Sequence, residues 1–189
     1  MIRTNTLLFL LLMIIISAPG CVYAVRYDGP YKGKVMDADT KEPIEGVVIL
    51  GVWTKEYPTP AGAVHKFYDA YETMTDKNGD FTVEGLGLKI MSNVIPMDVV
   101  IFKAGYEHLG YMSWLSLKED ILLSKRIKWE GEKAIIPLKK LMMEERKRQI
   151  DAFSIPGTAP KAKVILMLKE IDKDLMELGL EPFREKSWR

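Results

Sequence analysis

The sequence predicts a mainly β protein, a β-sandwich, that ends in two helices. Apolar and polar residues alternate with the period of a strand in several stretches of residues 27–138. Within that region the dipeptide Asn78-Gly79 indicates a tight hairpin turn. Residues 139–189 carry charged runs and apolar residues at helical spacing instead. We therefore expect a sandwich over residues 27–138 and a helical extension over residues 139–189.

The composition limits both the size of the protein and its class of partner. The chain has 189 residues, of which 48% are hydrophobic, which suffices for one packed domain with an appendage. It carries 27 Lys and Arg against 26 Asp and Glu, so the charge gives no reason to expect nucleic acid as a partner. The single cysteine, Cys21, excludes an intrachain disulfide, so stability must come from the burial of a core.

The start of the chain has the pattern of an export signal. Arg3 precedes an unbroken apolar run over residues 7–16, and small residues with Pro19 follow. The run is shorter than the roughly 20 apolar residues that span a membrane, and the order of charge, apolar run and small residues is typical of a secretory signal peptide. We expect a protein of the periplasm or cell envelope.

Two processing sites compete. Residues 22–24 suit a cut by the ordinary signal peptidase after Ala24, which makes residues 1–24 the signal peptide. Residues 18–21 resemble a bacterial lipobox, although Ala18 and Pro19 depart from it; cleavage there would leave an acylated Cys21 as the first residue. The small-residue rule slightly favours the cut after Ala24. Contact with a membrane is expected only if Cys21 is lipidated.

Residues 31–81 are expected to form the first sheet of the sandwich. Their most apolar part, residues 44–53, is apolar on both faces of a strand, which predicts a central strand covered on both sides. Gly33 within a strand predicts a bulge or a close approach of another group. Tyr106 follows a turn glycine at a strand end, where a tyrosine hydroxyl often bonds back across a sandwich.

Two acidic segments are interpreted as turns and not as metal sites. In Asp37–Thr40 and Thr75–Asp80, short polar side chains can bond nearby backbone N–H groups. A calcium-binding loop of the EF-hand type would place its glycine differently from Gly79, which precedes Asp80.

The candidate binding residues lie around a stretch with two prolines and a glycine, residues 57–62. This composition predicts a stiff exposed loop, and loops at the end of a sandwich often carry binding residues. An aromatic-rich strand is predicted to follow over residues 65–74. The candidate binding residues are Tyr57, Pro58, Pro60, His65 and Phe67.

Several short motifs occur in an order that resembles the carboxypeptidase regulatory-like domain. They are Gly33-x-Val35, Asp39-x-Lys41-x-Pro43-Ile44-x-Gly46-Val47-x-Ile49, Thr75-Asp76-x-x-Gly79-x-Phe81 and Lys103-Ala104-Gly105-Tyr106. The resemblance covers Tyr31 to Leu138. It implies a seven-stranded, transthyretin-like (prealbumin-like) sandwich with a non-catalytic accessory role. With its export signal and helical tail, the chain also resembles a group of uncharacterised bacterial exported proteins that carry this domain, and lipidation at Cys21 would make it a lipoprotein.

Within the extension, residues 161–178 predict an amphipathic helix. Val164, Leu168, Ile171, Leu175 and Leu178 form one apolar stripe, and Gly179 stands where a helix-ending glycine belongs. The stripe is short for a coiled-coil seam. Packing on the sandwich or on the first helix is therefore favoured over association with a partner.

Two functional hypotheses follow. The sequence shows no phosphate-binding loop, nucleophile elbow or Cys/His pair. The first hypothesis is therefore an exported non-enzymatic module, without cofactor or metal, that binds or scaffolds an envelope protein, a peptide or a glycan. The alternative is a metal-dependent envelope hydrolase that uses His65, Asp69 and His108, whose spacing shows no convergence of ligands.

Overall fold

The structure is a computed structural model, which describes residues 25–153 and 159–182. The export signal, with Cys21 and both processing sites, lies outside the described residues. Within them the fold is mainly β, with ten strands and four α-helices. No helix in this part of the chain is both long enough and apolar enough to cross a membrane.

The strands are β1 (Val25–Asp28), β2 (Tyr31–Asp37), β3 (Val48–Thr59), β4 (Gly62–Met74), β5 (Asp80–Val83), β6 (Gly87–Ile90), β7 (Asp98–Phe102), β8 (Leu109–Ser113), β9 (Lys128–Glu130) and β10 (Lys133–Leu138). The helices are α1 (Ser116–Glu119), α2 (Leu123–Arg126), α3 (Met143–Ala152) and α4 (Ile165–Glu177), with a 3-10 turn at Lys161–Lys163.

The strands form three sheets. A two-stranded ribbon pairs β1 with β6. The β2 sheet has the order β5-β2-β10-β9, and the β3 sheet has the order β4-β3-β7-β8. The pairing of β2 with β10 is parallel, and every other pairing in the three sheets is antiparallel.

Two expectations about the strands need correction. Residues 31–81 do not form one sheet, because β2 pairs with β5 and β10 whereas β3 pairs with β4 and β7. The partner β10 is distant in sequence, so no local pattern identifies it. The described residues also hold ten strands where seven were expected, and the additional ones include β1, β6 and β9, which are only three or four residues long.

The β3 sheet contributes to two hydrophobic cores. Its first face shares a core with the β2 sheet, in which Ile49, Trp53 and Ile101 meet Val35, Phe81 and Ile136. Its second face, with Val48, Leu50 and Val100, is covered by α3 and α4. The prediction of a central strand covered on both sides is confirmed. Each fully buried aliphatic side chain stabilises the fold by about 1.5–3 kcal/mol.

Helix α4 packs on the β3 sheet as the apolar stripe predicts. Val164, Leu168, Ile171, Leu175 and Leu178 all lie in the second core. The Glu72 carboxylate of β4 accepts the N–H groups of Leu166 and Met167 at 2.9 and 2.7 Å, at the start of the helix. At its end Gly179 takes φ +72°, and Leu180 N–H donates to Leu175 O at 2.9 Å. The predicted glycine cap is confirmed.

The predicted turns are confirmed. Asp37 Oδ1 accepts N–H groups of the next turn, from Asp39 at 2.8 Å and Thr40 at 3.0 Å. Asp76 Oδ1 accepts two more in the same way, from Asn78 and Asp80 at 2.8 and 2.9 Å. A Cβ on Gly33 would lie 2.4 Å from the Phe81 ring, which is the expected close approach. The hydroxyl of Tyr106 lies near the Asp37 carboxylate of β2, and its burial together with that charge raises its pKa.

Candidate interaction surface

The predicted loop at residues 57–62 is the tip of a long hairpin. Strand β7 pairs with β3 only as far as Val52, but the β3–β4 pairing continues to Thr59 and Gly62. Residues 54–68 therefore extend beyond the rest of the sheet, and we call them the hairpin arm. Pro60 and Ala61 make its turn, where the Thr59 hydroxyl donates to Gly62 O at 2.7 Å. The loop interpretation is wrong for Tyr57 and Pro58, which lie in β3, whereas the strand predicted over residues 65–74, with His65 and Phe67, is confirmed as part of β4.

The geometry of the arm explains why a proline can lie within it. Glu56 N–H points away from β4, because it donates to Asn93 O at 2.9 Å. Strand directions alternate with a period of two, so Pro58 has its nitrogen on the same side, beyond Asn93. Proline has no backbone N–H, but on this open side of β3 no hydrogen bond between strands is lost at Pro58. Pro58, which indicates a loop in the sequence, is therefore compatible with a strand here.

The arm has two faces, which separate the candidate binding residues. Glu56 is paired with His65, and His65 Nε2 lies 3.8 Å from the Glu56 carboxylate. Pro58 and Phe67 share that face by the strand period, and Phe67 packs against the second core. Tyr57 lies on the opposite face, and Pro60 lies at the tip. The five residues therefore do not form one binding site.

The face that carries Tyr57 combines tyrosines with lysines. Lys66 Nζ lies 5.3 Å from the centre of the Tyr57 ring, and Lys55 Nζ lies 4.6 Å from that of Tyr68. Lys89 of β6 approaches the Tyr68 ring to 5.8 Å, which places the ribbon beside the arm. These are cation–π distances, and among the described residues none of the three ammonium groups has a carboxylate at ion-pair distance.

The ribbon exposes an apolar face. Val25 is paired with Ile90 and Tyr27 with Leu88. Directly opposed residues, and residues two apart, project from the same side of a ribbon. All four are well exposed, from 57% for Leu88 to 71% for Tyr27. We call these four side chains the ribbon face.

The polar underside of the ribbon is buried instead. Asp28 is 1% exposed and accepts hydrogen bonds from Trp53 Nε1 at 2.8 Å, Arg26 Nη1 at 2.7 Å and Leu86 N–H at 3.2 Å. Arg26 Nη2 donates in addition to Val94 O at 2.7 Å. Burial and the Asp28 charge raise the pKa of the Tyr31 hydroxyl, so that it stays protonated beside this carboxylate. The ribbon is therefore held with its charges inward and its apolar side chains outward.

Sequence reasoning missed the ribbon, although a signal was present. Residues 25–28 and 88–90 both alternate apolar and polar side chains, which is a strand pattern. The usual inference would have placed the apolar set in the core. Only Trp53 and Leu86, the partners of Asp28 that lie far along the chain, reverse that assignment.

The three residues of the metal hypothesis have separate partners. His65 faces Glu56 on the arm, and Asp69 pairs with Lys163 Nζ at 2.9 Å. His108 Nδ1 lies 3.0 Å from Gln149 Oε1, and its ring stacks edge-on against Phe153. Throughout the described residues, no three His, Cys, Asp or Glu side chains are grouped so as to hold a metal ion. The site that a metal-dependent hydrolase would require is not assembled there.

Comparison of the chain with protein-family models, with curated proteins and with solved structures found no match in any of the three. The resemblance to carboxypeptidase regulatory-like domains therefore stays an expectation that rests on the motifs alone. Function has to be argued from the arm and the ribbon.

Proposed function

We propose that the chain is an exported, non-enzymatic β-sandwich module that works in the cell envelope by binding. The charge and apolar pattern of residues 1–24 supports export. Two four-stranded sheets that share one core support a sandwich, and the ordered motifs favour the prealbumin-like type found in carboxypeptidase regulatory-like domains.

The observation that carries the proposal is the orientation of the ribbon, whose apolar side chains face outward while Asp28 is buried; we call this the inverted ribbon. Contiguous apolar surface on a soluble protein usually marks a site that is covered in the working state. Here the apolar side chains cannot simply turn inward, because the buried Asp28 holds the opposite side of the ribbon against Trp53. A binding surface that consists of the ribbon face and the Tyr57 face of the arm accounts for this arrangement.

Site-specific photo-crosslinking of the full chain in its own cells tests the proposal. A photoreactive residue at Tyr27 or at Tyr57 should give discrete adducts with envelope components. Both positions are exposed, so the probe should not disturb the core. The matched control is the same probe at Glu144 of α3, whose side chain is 83% exposed and remote in sequence from the ribbon.

Adducts that form at Tyr27 or Tyr57 and not at Glu144 would support a binding module. Equal, diffuse labelling from all three positions would contradict it. The identity of the adduct, lipid or protein, also defines the class of partner.

A further inference from the structure

We infer that the partner of this surface is the anionic phospholipid bilayer. The inference rests on the proposed binding function and adds to it the chemical nature of the partner. Binding to the bilayer requires no acyl chain on Cys21, because the described residues themselves provide both the apolar and the charged contacts.

The ribbon face has the composition of a membrane-interface contact. Val25, Leu88 and Ile90 present aliphatic groups, and Tyr27 adds an aromatic ring with a polar end. Met91, which follows β6 directly, is 79% exposed. Aliphatic side chains insert among acyl chains, whereas tyrosine prefers the level of the headgroups. A short ribbon of four exposed side chains is suited to shallow insertion.

The lysines beside the ribbon complement anionic headgroups. Lys55 and Lys89 both approach the ring of Tyr68, to 4.6 and 5.8 Å from its centre. Lys89 leaves the ribbon on the side of its pair partner Arg26, so these two ammonium groups lie where the ribbon meets the arm. Lys66 adds a third charge further along the arm. A lysine near an anionic surface improves binding about fivefold, and salt weakens the effect.

The position of the ribbon in the chain also favours contact between the ribbon and the bilayer. Val25 begins β1 only four residues after Cys21 and nine after Ile16, the last residue of the apolar run. An extended chain spans about 3.3–3.6 Å per residue, so acylation of Cys21 would hold the ribbon within about 15 Å of the bilayer. Cleavage after Ala24 would instead place the new, positively charged α-amino group on Val25. Either processing site therefore adds lipid or positive charge at the edge of the ribbon.

Vesicle co-sedimentation of the exported protein tests the inference. The protein carries Cys21→Ser, so that no acyl chain can be attached there, and its intact mass establishes that the apolar run has been removed. We expect binding to vesicles of phosphatidylglycerol and phosphatidylcholine, weaker binding to phosphatidylcholine alone, and release by salt. The double substitution Leu88→Thr/Ile90→Thr should lower partitioning by about tenfold or more, because apolar burial in the bilayer is lost.

The structure offers matched controls for both kinds of contact. Ile121 and Leu122, between α1 and α2, are 75% and 74% exposed, so Ile121→Thr/Leu122→Thr removes equivalent apolar groups elsewhere and should leave binding unchanged. Replacing Lys55, Lys66 and Lys89 with glutamine should weaken binding to anionic vesicles. The same change at Lys125, Lys128 and Lys169, which are exposed elsewhere, should have a much smaller effect.

A gain-of-signal measurement covers the case in which a variant folds poorly. Tryptophan introduced as Leu88→Trp should be quenched by brominated lipid, whereas Ile121→Trp should not. Equal loss in both threonine variants, no quenching at residue 88, or no binding to anionic vesicles would overturn the inference. If binding fails while Tyr27 still crosslinks to an envelope protein, the partner is that protein and the proposed function stands. If crosslinking fails as well, both proposals fall.

Discussion

At the scale of single residues, Asp28 determines which side of the ribbon faces outward. A buried carboxylate is costly unless hydrogen bonds and an opposite charge compensate it. Arg26, Trp53 and Leu86 N–H provide that compensation from three parts of the chain. Turning the ribbon over would separate this carboxylate from Trp53 Nε1 and Leu86 N–H.

His108 should make the stability of the protein depend on pH. Burial lowers the pKa of its imidazole below the ordinary value, and the hydrogen bond with Gln149 and the nearby carboxylates of Glu107 and Asp174 only partly oppose this. The folded protein therefore holds His108 neutral, while the unfolded chain takes up a proton near pH 6.5. Stability is retained above that value and falls as the pH drops from it toward the lower folded pKa.

Urea unfolding at a series of pH values through about 5 to 8 measures this dependence. The substitution His108→Gln should flatten the acid side of the curve. An unchanged slope in the variant would mean that other groups account for the acid sensitivity.

Residue-level prediction from the sequence worked where the partners are close in the chain. Asp37 and Asp76 bind N–H groups within four positions of themselves, so turn chemistry identifies them. Asp28 binds Trp53 and Leu86, which are far along the chain. No local rule predicts such partners, and the inverted ribbon was missed for that reason.

At the scale of elements, α4 should stabilise the fold through its buried stripe. Ile171 is completely buried and Leu168 is 9% exposed against the β3 sheet. Replacing either with alanine should lower the free energy of unfolding by about 2–5 kcal/mol, since a cavity is left in the second core. Ile165, at the start of the same helix, is 45% exposed and serves as the control.

Denaturant unfolding followed by circular dichroism gives these free energies. Ile165→Ala should cost less than about 1 kcal/mol. Equal small effects at all three positions would show that α4 does not pack on the sheet in solution.

The long elements with a clear apolar period were predictable. Strand β3, apolar on both faces, and helix α4, with its stripe, follow from their own residues. The arm was misread because Pro58 and Pro60 are normally signs of a loop. Pro60 does lie in a turn, but Pro58 is tolerated within β3 because the sheet edge beyond Asn93 is open, which is a property of the assembled sheet and not of the local sequence.

At the scale of the whole molecule, the β3 sheet should make unfolding a single event. One face of this sheet lies in the first core, and the other lies under the helices. Losing either layer would expose buried apolar side chains of the shared sheet to water. The helical extension therefore behaves energetically as a third layer of the fold.

Coincident transitions from two probes would verify this cooperativity. In a Trp188→Phe variant, the remaining fluorescence comes from Trp53, Trp114 and Trp129 at the first core. A dye attached through Asp172→Cys on α4, in a Cys21→Ser background, reports on the second layer. The two signals should change at the same denaturant concentration; an earlier change of the dye would mean that α4 unfolds on its own.

The parallel pairing of β2 with β10 affects the timing of folding. Lys32 meets Lys133, so the β2 sheet cannot close until most of the chain is present. A chain that is delivered from its N-terminus, by a ribosome or through a translocation channel, has β2 long before its neighbour. Contacts between such distant segments also slow the search for the native state. Because β10 is the last strand to be delivered, the β2 sheet stays open until then. The chain therefore remains unfolded enough to pass through a channel until β10 has emerged.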